Sequence, residues 1–382
     1  LTFIISLKIN LKPMKKFFNT LTCLLLLISL KSVAQSEKYT AFEPGKIWKD
    51  DKGVHINAHG GGIIFHKGLY YWFGEHKIAG PRGNSAQVGV HAYSSKDLYN
   101  WKDEGIALQV SEDPASDIVK GSIIERPKVV YNKKTKKFVM WFHLELKGKG
   151  YAAAHAGVAT ADKINGPYKF IKSYRPNAGK MPFYPAGTPA DKIVNCEKPA
   201  NTYDGYFCRD LPGGQMARDM TVFIDDDGKA YHVFSAEENY TLNIAELSDD
   251  YTSHTGKFIR MYVGFQTEAP AVFKRNGKYY MIGSGCTGWD PNPARWFIAD
   301  NIWGKWEYKG NPTIGEGSKL TYGGQSTHVL PVQGKKDAFI FMADKWTPKN
   351  PIDGRYLWLP ITFKGDDIEI SWKDSWDLKS FK

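Results

Sequence analysis

The sequence is short of cysteine, of long apolar runs and of one-signed charge blocks, and each shortage removes a class of protein. Four cysteines in 382 residues are too few to staple a disulfide scaffold. Beyond the N-terminus no apolar run approaches the ~20 residues that a membrane-spanning helix needs, so no membrane partner is expected. The formal net charge is +11, but no basic helix or base-stacking motif accompanies it. The surplus therefore reads as a solvated surface, and nucleic acid is not an expected partner. What is abundant points elsewhere: 37 glycines, 21 tyrosines and a 14% aromatic share favour a turn-rich β protein over a helical bundle.

The first 34 residues stand apart. From Met14 the chain reads MKKFFNTLTCLLLLISLKSVAQ, with a basic start, an apolar centre and small residues before Gln35. This is the pattern of a secretory signal peptide, expected to be cut after Ala34, and its apolar centre is too short for a membrane span. The residues ahead of Met14 read as an over-extended frame. Cys23 lies inside the apolar centre rather than after it, which argues against a lipoprotein anchor. Residues 35–382 then form a single expected domain. The protein is expected to be exported, to the periplasm or beyond, and the MKK leader suggests a bacterial source. Loss of the leader takes away five lysines and no acid, leaving a net charge of +6. In an exported chain Cys196 and Cys208 are able to form a bridge, although spacing alone leaves that open. Cys286 is then left over as a small buried residue.

Internal repetition carries the fold prediction. Five stretches share one plan: HGGGIIFHKGLYYWFGEHK from His59, ERPKVVYNKKTKKFVMWFHLE from Glu125, RDMTVFIDDDGKAYHVFSAEE from Arg218, EAPAVFKRNGKYYMIGSG from Glu268 and QSTHVLPVQGKKDAFIFMADKW from Gln325. Each is a short apolar strand, a polar turn and a second strand carrying aromatics, which is a hairpin. Four are followed by a segment able to supply outer strands, and the fifth by RYLWLPITFKGDDIEISW. Five such units predict an all-β fold, a five-bladed β-propeller. A β-sandwich fits the repeated internal order less well. The stretch SYRPNAGKMPFYPAGTPADKIVNCEKPANTYDGYF is an insertion, predicted to be loop.

In a propeller the first strand of each blade lines the axis, and its start opens on one face. The five starts carry Asn57 and His59, Glu125, Asp219, Glu268 and Gln325. One polar residue at a strand start would be unremarkable; five at equivalent places predict a common pocket. Carboxylates gathered in an exported, aromatic-rich protein suggest glycoside hydrolysis. That chemistry needs one acid to protonate the leaving oxygen and a second group to direct water or attack. Crowded carboxylates also raise the pKa of one member, which keeps it protonated near neutrality. Trp72, Trp141, Trp289 and Trp346 lie at or just beyond the ends of second strands, each alone reading more readily as core than as a platform for a sugar ring.

On these residues the chain resembles the catalytic domains of glycoside hydrolase family 43, which are five-bladed propellers, and within it the exo-β-1,3-galactanase branch. The stretches that carry the resemblance are INAHGGGIIFHKGLYYWFGEHK, IERPKVVYN, ARDMTVFIDDDGKAYHVFSAEENYTLNIAEL, TEAPAVFK, GQSTHVLP and ADKW with GRYLWLP. The resemblance implies that Glu268 is the general acid and that Asp219 orients it and tunes its pKa. Most of the family places an aspartate base at the start of the first blade. Here HINAHGGG offers no carboxylate, and the branch instead has Gln325 and Glu125. An amide is too weakly basic to deprotonate water unaided, so either Gln325 positions the water and passes its proton through an imidic tautomer, or Glu125 accepts that proton. The favoured expectation is that Gln325 holds the water, with Glu125 gripping sugar hydroxyls or sharing the base role. The resemblance implies an inverting enzyme that releases galactose from the β-1,3-galactan backbone of arabinogalactans.

Further candidates for substrate contact are Asn57, His59, Glu237, Glu238, Trp289, Asp344 and Trp346, with solvated strand-end acids an equal reading of Glu237 and Glu238. His59 is alternatively a ligand to an axial ion. The DDDG at 225–228 lacks the rest of a calcium-loop ligand set and reads as a turn. No cofactor or catalytic metal is expected, a structural calcium is unsupported, and a monomer is expected. Two other readings remain: an arabinofuranosidase or xylosidase of the same family, disfavoured by the missing first-blade aspartate, and a catalytically silent sugar-binding propeller, disfavoured by the presence of both Glu268 and Asp219.

Overall fold

Alternation along the second strand of each hairpin sets the architecture. In the run Tyr279–Ile282, Tyr279 and Met281 enter one apolar cluster while Tyr280 and Ile282 enter another. Successive side chains leave opposite faces of a strand, so a strand with both faces apolar must lie between two layers. A computed structural model describing residues 38–381 shows how that requirement is met.

Blade 1 is β1 (His59–His66), β2 (Leu69–His76), β3 (Gly89–Ser95) and β4 (Lys102–Gln109), paired in chain order. Blade 2 is β5 (Ile123–Asn132), β6 (Lys137–Glu145), β7 (His155–Ala161) and β8 (Lys169–Tyr174). After a helix, α1 (Tyr203–Asp210), blade 3 is β9 (Met220–Ile224), β10 (Ala230–Ala236), β11 (Thr241–Leu247) and β12 (His254–Met261). Blade 4 is β13 (Glu268–Arg275), β14 (Lys278–Ser284), β15 (Ala294–Ala299) and β16 (Glu307–Gly310). In blade 5, β17 (Thr313–Ile314) adds a parallel edge to β21 (Asp367–Ser371), which follows β18 (Gln325–Pro331), β19 (Phe339–Lys345) and β20 (Arg355–Lys364).

The inner strands touch in cyclic order: β1 meets β5, β5 meets β9, β9 meets β13, β13 meets β18, and β18 returns to β1. Five sheets closed in this way are the expected five-bladed β-propeller. Five apolar clusters fill the gaps between consecutive blades. The gap that closes the ring, between blades 5 and 1, is the most aromatic. There Phe42, Trp48, Trp72, Trp101, Trp358 and Trp376 pack edge and face. The segment before β1 is stitched in by a bridge between Phe42 and Trp376 and by Tyr356, whose hydroxyl accepts the Ala58 N–H at 2.9 Å. Trp72 is buried in this core and Trp141 in the one between blades 2 and 3, so neither is a sugar platform.

The insertion between blades 2 and 3 is not all loop. Thr202 accepts the Gly205 N–H at 3.1 Å and caps α1, as a threonine ahead of a first turn should. Phe207 is fully buried against blade 3, and Cys208 is bonded to Cys196 with a Cα–Cα distance of 5.6 Å. The prediction missed the helix because its one buried aromatic gives no periodic signal. The compact unit begins at Tyr39. The leader expected over residues 1–34 lies outside the described residues, among which no helix is long and apolar enough to cross a membrane.

Candidate active site

The starts of the inner strands are shaped by bulges. Register slips in β1 between His59 and Gly62, in β5 between Glu125 and Lys128, and in β13 between Glu268 and Ala271. Inside each slip sits a left-handed residue: Gly60 at φ 60°, Arg126 at 57° and Ala269 at 53°. Holding Arg126 and Ala269 there costs about 1–2 kcal/mol each, which needs a compensating contact. Each turned N–H supplies one by donating to a carboxylate of the preceding blade. Gly60 donates to Asp344 Oδ2 at 2.7 Å, Arg126 to Glu75 Oε1 at 2.8 Å and Ala269 to Asp219 Oδ2 at 3.1 Å. At position 60 a Cβ would stand 2.1 Å from Glu75 Oε1, so glycine is required.

These bulges aim Glu125 and Glu268 into a cavity of about 260 Å³ that Asp219 and Gln325 also line. That is small beside the ~300–1,000 Å³ of drug-sized sites and suits a single sugar unit. Arg126 ties the cavity together. Its Nη2 donates to Asp219 Oδ2 at 2.8 Å and to Gln325 Oε1 at 2.5 Å, and its Nη1 donates to the Ser326 carbonyl at 2.8 Å. Gln325 Oε1 also accepts the Trp346 indole N–H at 2.9 Å, while its Nε2 donates to Ser284 Oγ at 2.9 Å. Those partners fix which way the amide faces. Trp346 packs edge-on against Trp289, with centroids 5.6 Å apart, to make an aromatic rim.

On the blade 2 side, Glu125 Oε1 accepts from the Tyr151 hydroxyl at 2.7 Å and from Asn84 Nδ2 at 3.0 Å. Its Oε2 lies 3.0 Å from His143 Nδ1, and His143 Nε2 lies 2.9 Å from Glu145 Oε1. Burial would strip the charge from this histidine, but the two flanking carboxylates prevail and push its pKa up to about 9. Burial would likewise raise Glu125; the imidazolium beside it instead holds its carboxyl well below the usual range. On the blade 4 side the balance reverses. Glu268 is pushed up to about 7, first by burial and then by the charge of Asp219, against the weaker pull of Cys286, Arg126 and Arg218. Its Oε1 accepts from Asn239 Nδ2 at 2.5 Å and from the Cys286 thiol at 3.2 Å.

Ligating atoms of Glu125, His143 and Asp219 lie within 4.8 Å of one another, but the donor set does not fit a metal. Both ring nitrogens of His143 already lie within 3.0 Å of a carboxylate, and Asp219 is already paired with Arg126.

Of the residues predicted from sequence, Glu125, Asp219, Glu268, Gln325, Trp289 and Trp346 line the cavity. Five others do not. Asn57 is buried, its side chain closing a two-way bond with the Lys77 backbone at 2.8 Å. His59 is fully buried and stacked on Tyr356, and Asp344 beside it serves the Gly60 N–H. Glu237 is fully buried and held by Arg260 at 2.6 and 2.7 Å. Glu238 is paired with Arg209 at 3.0 Å and Arg218 at 3.1 Å, outside the lining. All five are polar residues near strand ends; four are hydrogen-bonded or ion-paired within the protein, and His59 is packed on Tyr356 with neither ring nitrogen hydrogen-bonded to a described residue. Sequence reading passed over Glu75, Arg126, His143, Tyr151, Arg218, Asn239 and Cys286, which do line the cavity. A register count would have found two of them: Glu75 pairs across from His59, and His143 from Glu125. Cys286, expected to be a plain buried residue, sits half-buried against Glu268.

The family description "Glycosyl hydrolases family 43" matches residues 183–367. No curated protein matches the chain. Solved structures similar to it include a GH43 β-1,3-galactosidase holding galactodeoxynojirimycin, 53% identical, with a TM-score of 0.83 over 88% of this chain and 100% of that one. An exo-β-1,3-galactanase from Clostridium thermocellum is 34% identical, with a TM-score of 0.72 over 88% of this chain and 66% of that one. One from Phanerochaete chrysosporium, solved with β-1,3-galactotriose, is 29% identical, with a TM-score of 0.72 over 89% and 68%. A likeness of this depth over the whole propeller makes the chain a member of glycoside hydrolase family 43, and with it a glycoside-cleaving enzyme.

Proposed function

We propose that the protein is an exo-acting β-1,3-galactanase that removes galactose from the end of a β-1,3-galactan chain with inversion. The observation that carries the reading is the pairing of a carboxylic acid kept neutral to about pH 7, Glu268, with ionised neighbours in a cavity of about 260 Å³. The likeness to solved β-1,3-galactosidases supports the choice of sugar.

Glu268 protonates the departing glycosidic oxygen. Asp219, held by Arg126 and by the Ala269 N–H, keeps that acid protonated and stabilises positive charge gathering on the sugar ring. Gln325 positions the water. An imidic form of Gln325 would need an acceptor for its O–H, yet two N–H donors meet Oε1; the side chain works as an amide. Glu125 grips sugar hydroxyls and is the carboxylate able to take the water's proton. A weak base suffices, because water already bonding to an oxocarbenium-like carbon is far more acidic than free water. The reading extends to an exported monomer that acts, without a metal, on backbones such as those of arabinogalactans.

The test is a digest of β-1,3-galactan followed by NMR from its first minutes. Galactose should appear first as the α-anomer, and on the order of 10³-fold more slowly with Glu268→Gln. Early β-anomer would exclude single displacement, and release of arabinose or xylose would exclude the substrate assignment.

A further inference from the structure

Cys286 is the free thiol of the described residues, and it reaches the cavity from the loop that follows β14. Its Sγ lies 3.2 Å from Glu268 Oε1, the oxygen that also receives the Asn239 amide at 2.5 Å. The orientation of Asn239 is itself fixed: its Oδ1 faces Arg218 Nη1 at 3.5 Å, so its Nδ2 must face the carboxyl. The thiol in turn is held as S–H rather than thiolate, pushed up to about 11 by burial and then by the neighbouring Glu268. Two donors therefore converge on one oxygen of the acid.

We propose that Cys286, together with Asn239, is a positioning residue that decides which oxygen of Glu268 carries the catalytic proton. An oxygen already accepting an N–H and an S–H has no room for a proton of its own, so the neutral acid is protonated on Oε2. Oε2–H then gives its proton to the glycosidic oxygen as the bond to the anomeric carbon breaks. The carboxylate left behind keeps its two donors on Oε1 and regains a proton from solvent. The same donors favour the ionised form, so the thiol lowers the proton affinity of Glu268, against burial and Asp219, while Arg126 and Arg218 act in the same sense as the thiol. Sulfur is a weak donor, which leaves the acid protonated to about pH 7; a hydroxyl there would lower that value.

This inference rests on Glu268 being the general acid, and its test separates the two claims. Cys286→Val fills the space without a donor; Cys286→Ser supplies a stronger one. The carboxylic C=O band of Glu268, identified by its loss in Glu268→Gln, is titrated by infrared difference spectroscopy on the full chain without substrate. The pH profile of kcat/KM is recorded on β-1,3-galactobiose. The midpoint of the band should rise by roughly half to one pH unit in Cys286→Val and fall by a smaller step in Cys286→Ser, and the alkaline limb should follow in both. A midpoint that stays put, or moves the same way in both variants, overturns the role of Cys286. A midpoint that moves as described while the limb does not follow overturns Glu268 as the acid and leaves the thiol contact standing. Should the valine variant fail to fold, the downward step in the serine variant alone decides.

Discussion

Blades 2 and 4 each give the cavity a glutamate from the same backbone position, the residue before a left-handed turn in an inner strand, yet Glu125 and Glu268 hold protons in opposite ways. Behind Glu125 stands a buried imidazolium, itself braced by Glu145, with a tyrosine hydroxyl and an asparagine amide on the other oxygen. Among the described residues no cation is paired with Glu268; it has two donors on one oxygen and the charge of Asp219 nearby. Burial works on both in the same direction, so the difference comes from neighbours: His143 on the strand after Glu125, against Asp219 at the start of the blade before Glu268. The propeller repeats the carboxylate, and what varies around the ring sets whether it acts as an acid or as a fixed anion.

The largest effect that tests this contrast is on turnover. Glu268→Gln removes the only proton suited to the leaving oxygen and should lower kcat on β-1,3-galactan on the order of 10³-fold. In the intact enzyme kcat/KM should fall above about pH 7 as Glu268 ionises. Glu125→Gln should weaken binding and slow turnover while leaving that alkaline limb in place. If the glutamine at 125 erases the limb and the one at 268 keeps it, the two roles have been assigned the wrong way round.

A second effect falls on folding. His143→Phe leaves Glu125 and Glu145 buried face to face with no charge between them, and removing one partner of such a network costs about 3–5 kcal/mol. Denaturant midpoints should show the loss, and Glu145→Gln in the same chain should restore part of it, because one of the stranded charges is then gone. An unchanged midpoint for His143→Phe would mean that Glu125 is not held ionised by this pair.

A third, smaller effect probes the link between the two walls. Arg126→Lys keeps the charge but loses the fork that reaches Asp219 and Gln325 together. With neither partner fixed, kcat should drop roughly 10–100-fold and KM should move little. A change confined to KM would make Arg126 a binding residue alone.

The ring and its axis were readable in the sequence because hairpin turns and apolar alternation are local signals, and the starts of β5, β9, β13 and β18 fell where counting put them. Position along a strand was readable; the direction a side chain takes was not. Asn57, His59, Glu237 and Asp344 sit at strand ends, as expected, but Asn57, Glu237 and Asp344 bond inside the protein to Lys77, Arg260 and Gly60, and His59 is buried against the ring of Tyr356. Conversely His143 lies in an apolar strand, KFVMWFHLE, where nothing marks it as facing a cavity until its pairing with Glu125 is known. Asn239 lies in the turn between β10 and β11 and Cys286 in the loop after β14, and what marks them is their contact with Glu268, which no period in the sequence encodes. The bridge between Cys196 and Cys208, open on spacing alone, is a matter of 5.6 Å between Cα atoms.

The smallest effect is on stability, and it separates Glu268 from Glu125 without substrate. An acid whose folded pKa of about 7 stands above its ordinary 4.5 keeps a proton that the unfolded chain has already released between those values. Stability is therefore lost as pH rises from about 4.5 through about 7, and above that window the folded protein carries a buried charge it does not favour. An amide at 268 cannot ionise and still accepts from Asn239. Glu268→Gln should thus match the wild type near pH 4.5 and exceed it at pH 8 by ~2 kcal/mol, a figure reduced from the full shift because the cavity mouth is open to water. The same change at Glu125 should have the opposite sign, since it removes an anion that His143 stabilises. Equal pH dependence in both glutamine variants would mean that the two walls treat their carboxylates alike, and the contrast between acid and anion would then have to arise only when sugar binds.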